Sequence, residues 1–81
     1  MLQMKPNCEC CDRDLPADAS DALVCSFECT FCRDCADARF AGRCPNCGGD
    51  LTVRPTRART LWGRFPPSTD RVKKHHPPCA A

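Results

Sequence analysis

Ten of the 81 residues are cysteine, and nine of these lie within residues 1–51. Three pairs have C-x-x-C spacing: Cys8/Cys11, Cys32/Cys35 and Cys44/Cys47. Cys25/Cys29 adds a fourth pair with three residues between. A C-x-x-C turn brings two thiolates to one ion, each about 2.3 Å from zinc. Eight sulfurs in four pairs make two closed, four-coordinate sites, a donor set suited to zinc and less often to an iron–sulfur cluster. Cys44–Cys47 followed by Gly48 and Gly49 is the most specific of these elements. Pro45 presets one turn dihedral, and a glycine after the second ligand accepts positive φ. Backbone N–H groups of such a turn are then placed to point at the sulfurs. The predicted ligands are Cys8, Cys11, Cys25, Cys29, Cys32, Cys35, Cys44 and Cys47, holding two Zn2+ ions. A disulfide framework is the competing use of so many cysteines.

Large apolar side chains (Val, Leu, Met, Phe, Trp) number fifteen, with no Ile or Tyr, and ten of them fall in residues 1–51. That is too little for a self-sufficient core, so metal must staple the fold. So short a chain excludes a multidomain enzyme and a large buried cofactor site. No stretch approaches the roughly 20 apolar residues of a membrane span. The N-terminus lacks the apolar segment of a secretory signal. A reducing, cytoplasmic setting is expected, which favours thiolate–metal bonds over disulfides.

The elements that must position these sulfurs are short. Asn7 to Leu15 reads as a turn ended by Pro16. Ala22 to Phe27 suits a strand, and Thr30–Cys32 is placed to pair with it as a hairpin. Arg33 to Ala41 is the one helix-compatible segment, with Asp34 and Asp37 early, Arg39 and Arg43 near its end, and Gly42 as C-terminal cap. Phe40 is its expected anchor.

Charge and composition both break near Leu51–Thr52. Residues 1–51 hold five basic and nine acidic groups, a net of −4; residues 52–81 hold seven basic groups and Asp70, a net of +6. A Cys-rich head over 1–51 and a Pro/Arg-rich tail over 52–81, largely disordered, are expected. Trp62 and Phe65 among the arginines could stack on bases while the arginines bind phosphates. The tail could equally pack on the acidic head. Eight thiolates and two zinc ions would take the head from −4 to about −8, favouring that contact at low salt and limiting any nucleic-acid binding to a weak, salt-sensitive kind.

Read as ligand positions one to eight, the spacing is C-x2-C-x13-C-x3-C-x2-C-x2-C-x8-C-x2-C. Each gap resembles the RING-finger pattern, as do Phe31 before the fifth ligand and Pro45 after the seventh. The resemblance implies a treble-clef-like cross-brace, with Cys8, Cys11, Cys32 and Cys35 on one ion and Cys25, Cys29, Cys44 and Cys47 on the other. A sequential pairing similar to a LIM domain is the alternative. RING ligases engage a conjugating enzyme through an apolar residue between the first two ligands and often an Arg after the last. Here those positions hold Cys10 and Gly48, so the ubiquitin-ligase reading is not favoured.

Residues 1–51 also resemble a family of small bacterial cysteine-rich proteins of unassigned function, through Pro6–Cys11 (PNCECC), Cys25–Cys32 (CSFECTFC) and Cys44–Gly49 (CPNCGG). The resemblance implies zinc binding in the cytoplasm. No HExxH, no His-x-Glu with PCxxC and no Ser/His/Asp set occurs in the head, which lacks His altogether. Glu9 and Glu28 flank ligands but are expected at the solvated surface, so no catalytic residue is assigned. Cys10 is expected as a free thiol, which raises redox sensing as a minor reading, and Cys79 as a disordered bystander. His75 and His76 are expected in solvent. The favoured function is a structural zinc module that presents a surface to a protein partner, with tail-borne nucleic-acid binding as the alternative.

Overall fold

The computed structural model describes residues 1–74 and 76–79. Strand β1 (Ala22–Val24) is the centre of a three-stranded antiparallel sheet. On one side it pairs with β2 (Thr30–Cys32), with Leu23 opposite Phe31. On the other it pairs with β3 (Thr52–Val53), with Leu23 opposite Val53. β1 is shorter than the apolar run that encodes it, because Cys25–Cys29 leaves the sheet to form a metal-type turn. The Cys25 N–H donates to Cys29 O at 3.2 Å, the Glu28 N–H to Cys25 O at 3.0 Å, and Glu28 takes φ 66°. The turn leaves Phe27 73% exposed.

Helix α1 (Arg33–Ala38) follows β2 directly. It ends three residues before the expected Ala41. The chain reverses there through Ala41 (φ 51°) and Gly42 (φ 79°), and the Gly42 N–H donates back to Ala36 O at 2.8 Å. This six-residue-back bond satisfies a carbonyl that the helix end would otherwise orphan. Phe40 therefore leaves the helix but still anchors it, edge-on to buried Phe31 with ring centroids 5.1 Å apart. Leu15, Leu23, Phe31, Ala36 and Leu51 make the apolar core, and buried cysteines fill the rest of it.

β3 was not legible in the sequence, and it lies beyond the composition break at Leu51–Thr52. The sheet recruits the first residues of the basic segment because Arg54 follows them into the interior. Its side chain is 1% exposed, and its guanidinium donates to Lys5 O at 2.8 Å, Leu15 O at 3.1 Å and Pro16 O at 2.8 Å. Further along, Arg57 donates to Leu2 O at 2.9 Å and Arg59 to Asp18 at 2.7 Å. Arg71 meets Asp12 at 3.0 Å and Asp14 at 2.8 Å. The buried Asn7 amide donates to Val72 O at 2.9 Å and accepts from the Val72 N–H at 3.1 Å, as a paired strand would. Instead of the expected disorder, the described part of the tail is laid along the head.

Candidate metal centre

Two hairpin-like turns carry two of the C-x-x-C pairs. At the first, the Cys8 N–H donates to Arg13 O at 2.8 Å and the Asp12 N–H to Cys8 O at 2.9 Å. At the other, the Cys44 N–H donates to Gly49 O at 2.8 Å and the Gly48 N–H to Cys44 O at 2.9 Å. Each turn needs a left-handed residue after its second cysteine. Gly48 fills that place with φ 77°, and Asp12 fills it with φ 64° in the first turn. Asp is among the few side chains that tolerate this region. Backbone N–H groups also reach sulfur: Cys10 to Cys8 Sγ at 3.4 Å, Phe27 to Cys25 Sγ at 3.3 Å and Gly49 to Cys47 Sγ at 3.5 Å.

The sheet and helix then bring distant pairs together. Cys32 ends β2 and Cys35 lies one turn into α1, so both face the Cys8/Cys11 turn. The sulfurs of Cys8, Cys11, Cys32 and Cys35 lie within 4.8 Å of one another. Four sulfurs about 2.3 Å from a central ion stand about 3.8 Å apart at the corners of a tetrahedron. Cys11 Sγ and Cys32 Sγ are 3.7 Å apart, so this donor set fits a tetrahedral ion. Cys25, Cys44 and Cys47 form the second group on the same criterion of distance. Cys8/Cys11 thus joins Cys32/Cys35, and Cys25 joins Cys44/Cys47, an interleaved arrangement. Cys29 is buried, and burial pushes its thiol up, but its sulfur stands outside the set of three.

Crowded thiols perturb one another. Burial pushes the Cys35 thiol up, reinforced by its cluster partners, and pushes Cys44 up to about 12 despite backbone N–H groups of Cys47 and Asn46. Burial opposes ionisation of Cys25 too, but the N–H groups of Phe27 and Cys29 and neighbouring thiols outweigh it and hold the group down at about 7. Cys11 is lowered in the same way, against its burial, by the Arg13 N–H and the thiols of Cys35, Cys32 and Cys8. A divalent ion would replace this mutual hydrogen bonding and hold all the thiols as thiolates.

Several flanking residues stand elsewhere than expected. Glu9 is 2% exposed, not solvated. Its backbone belongs to the Cys8/Cys11 turn, while its carboxylate accepts from Asn46 Nδ2 at 2.6 Å in the Cys44/Cys47 turn. It therefore ties one cysteine cluster to the other. Glu28 is partly exposed and accepts from the Gln3 N–H. His76 is 7% exposed, not in solvent, and its Nε2 lies 2.9 Å from the Glu9 carboxylate. Cys10 is neither free nor a ligand: it is disulfide-bonded to Cys79, which is therefore no bystander. The expectation for His75 lies outside the described residues. Nothing in the local sequence marks Glu9, Asn46 and His76 as partners, since 67 residues separate Glu9 from His76.

No helix among the described residues is long and apolar enough to cross a membrane. A family model described as a protein of unknown function (DUF1272) matches residues 1–57, which include every cysteine of both clusters. A protein labelled uncharacterised from Rhizobium meliloti (strain 1021) is 57% identical over 74 residues, covering 91% of this chain and 88% of that protein. No solved structure matches the chain.

Proposed function

Starting from the fact that this chain belongs to the DUF1272 family of unknown function, we propose that it is a structural zinc module of the cytoplasm that presents a rigid surface to a protein partner. The interleaved cysteine clusters carry this conclusion, because each gathers sulfurs from turns far apart in the chain. An all-sulfur donor set at tetrahedral spacing is the chemistry of a closed zinc site. Cys29, buried at the far end of the turn that Cys25 begins, is the natural fourth ligand of the second site. Zinc supplies charge neutralisation and a fixed tetrahedral geometry. The chain supplies thiolates, backbone donors to sulfur and the Glu9–Asn46 tie. With sulfur in every position, neither ion would keep a place for substrate, so no catalytic role is assigned.

A protein partner is favoured over nucleic acid by how the basic residues are used. Arg54, Arg57, Arg59 and Arg71 are committed to carbonyls and carboxylates of the chain itself. The Trp62 indole donates to Arg57 O at 2.9 Å and carries the Arg59 guanidinium 4.9 Å from its centroid, so it is not a free stacking platform. Phe27, at the tip of the Cys25–Cys29 turn, is instead an apolar contact point held by the metal fold.

Native mass spectrometry of protein purified under reducing conditions is expected to show two zinc ions, and a strong chelator to unfold the head. Zinc-free protein that keeps its near-ultraviolet circular dichroism would refute the structural role. A pull-down from the native cell, repeated with Phe27→Ala, tests the surface. Partners that are lost only on nuclease treatment would favour nucleic acid.

A further inference from the structure

Eight cysteines gather in the two clusters or beside them, and two do not. Cys10 and Cys79 are joined across 69 residues of sequence, with their Cα atoms 5.5 Å apart. We propose that this pair is a thiol-reducible latch that clamps residues 76–79 over the seam between the two cysteine clusters. It goes beyond the zinc reading and does not depend on which metal the clusters take.

The clamped segment covers chemistry that matters to the fold. His76 sits against Phe31 and Phe40, with ring centroids 5.9 and 5.7 Å apart, and reaches the Glu9 carboxylate. That carboxylate is the one tied to Asn46 of the Cys44/Cys47 turn. Apart from the disulfide, the segment is held lightly. The Lys74 N–H donates to Glu9 O at 3.2 Å, Arg39 donates to Pro78 O, and Pro77–Cys79 forms one turn of 3-10 helix. The segment belongs to no strand of the sheet. Without the covalent tie, these few contacts must offset the backbone entropy of the whole segment.

The two sulfurs differ in access. Cys10 is 1% exposed, whereas Cys79 is only partly buried, so a small thiol meets the Cys79 sulfur first. Its thiolate attacks Cys79 Sγ, the S–S bond breaks, and Cys10 leaves as a thiolate that takes up a proton. A second thiol then attacks the external sulfur of the mixed disulfide. Cys79 leaves and is protonated in turn, and the reductant departs as its own disulfide. Two electrons pass to the protein and two external thiols are oxidised. The reverse sequence, with a small disulfide as oxidant, closes the latch. Opening uncovers the edges of Phe31 and Phe40 and leaves Glu9 with Asn46 alone.

The test uses the full-length, metal-loaded protein equilibrated in mixtures of reduced and oxidised glutathione. Acid quenching, alkylation and peptide mapping report the Cys10–Cys79 link, metal content is measured on the same samples, and amide exchange is followed at His76 and Cys79, the segment's two N–H groups. Oxidising mixtures are expected to give the link with both metals retained. The Cys79 amide, which donates to His76 O at 2.8 Å, should then exchange at least about tenfold more slowly than in reducing mixtures. In Cys79→Ser that exchange should be fast in both mixtures. Three results would each overturn the proposal: no link in oxidised, metal-loaded protein; a link that forms only as metal is lost; or exchange at Cys79 that is the same with and without the link.

Discussion

Replacing Cys32 by Ser separates the two cysteine clusters. Cys32 lies with Cys8, Cys11 and Cys35, and its sulfur is 3.7 Å from that of Cys11. Structural zinc held by such a set is worth about 10–16 kcal/mol, or about 2.5–4 kcal/mol for each of four thiolates. A serine hydroxyl is a poor substitute, so one of the two ions should bind roughly a hundred- to a thousandfold more weakly. The other, at Cys25, Cys44 and Cys47, should weaken far less, since it loses no ligand. The coupling through Glu9 and Asn46 is a hydrogen bond of about 1.5–3 kcal/mol at most. Competition with a chromophoric chelator resolves two affinities, and Cys44→Ser should show the mirror pattern. Cadmium substitution followed by NMR then identifies the cysteines that couple to each ion. Equal weakening of both ions by Cys32→Ser, or coupling of Cys8 and Cys25 to one cadmium, would refute the interleaved assignment.

Arg54→Met removes the donor from three backbone carbonyls while keeping much of the side-chain volume. It should cost about 2–4 kcal/mol in denaturant unfolding at fixed free zinc, and a loss below about 1 kcal/mol would show that those bonds are dispensable. Metal uptake should weaken as pH falls. The folded-state Cys25 thiol is depressed from 9.0 to about 7, so its thiolate contributes stability that is full above the ordinary thiol value and lost as pH drops through about 7. The raised Cys35 and Cys44 must release protons on binding, so proton release measured calorimetrically in two buffers should exceed one per ion. Oligonucleotide binding should be weak and fall steeply with salt. Arg71→Gln, which frees Asp12 and Asp14, should not strengthen it, and salt-independent binding would contradict the commitment of the basic residues to the head.

The three C-x-x-C pairs were legible in the sequence because such a turn is a local structure whose spacing follows from the geometry of one ion, whereas Cys29 stands outside the cluster that holds Cys25. Gly48 and the β1–β2 hairpin were legible for the same reason: left-handed φ and apolar runs act over a few residues. The resemblance of residues 1–51 to a small bacterial cysteine-rich family likewise rests on contiguous motifs. Which pairs meet is a different kind of fact. The RING-like spacing implied the interleaving, and it is β2 running into α1 that turns Cys32 and Cys35 toward Cys8 and Cys11. The burial of Glu9 and His76, the link from Cys10 to Cys79 and the entry of Arg54 beneath the sheet are decided only by the folded chain. Each joins residues 38 to 69 positions apart, and composition or periodicity carries no record of such contacts. A charged residue beside a metal turn looks solvated in sequence, and it becomes buried only when another part of the chain brings it a partner.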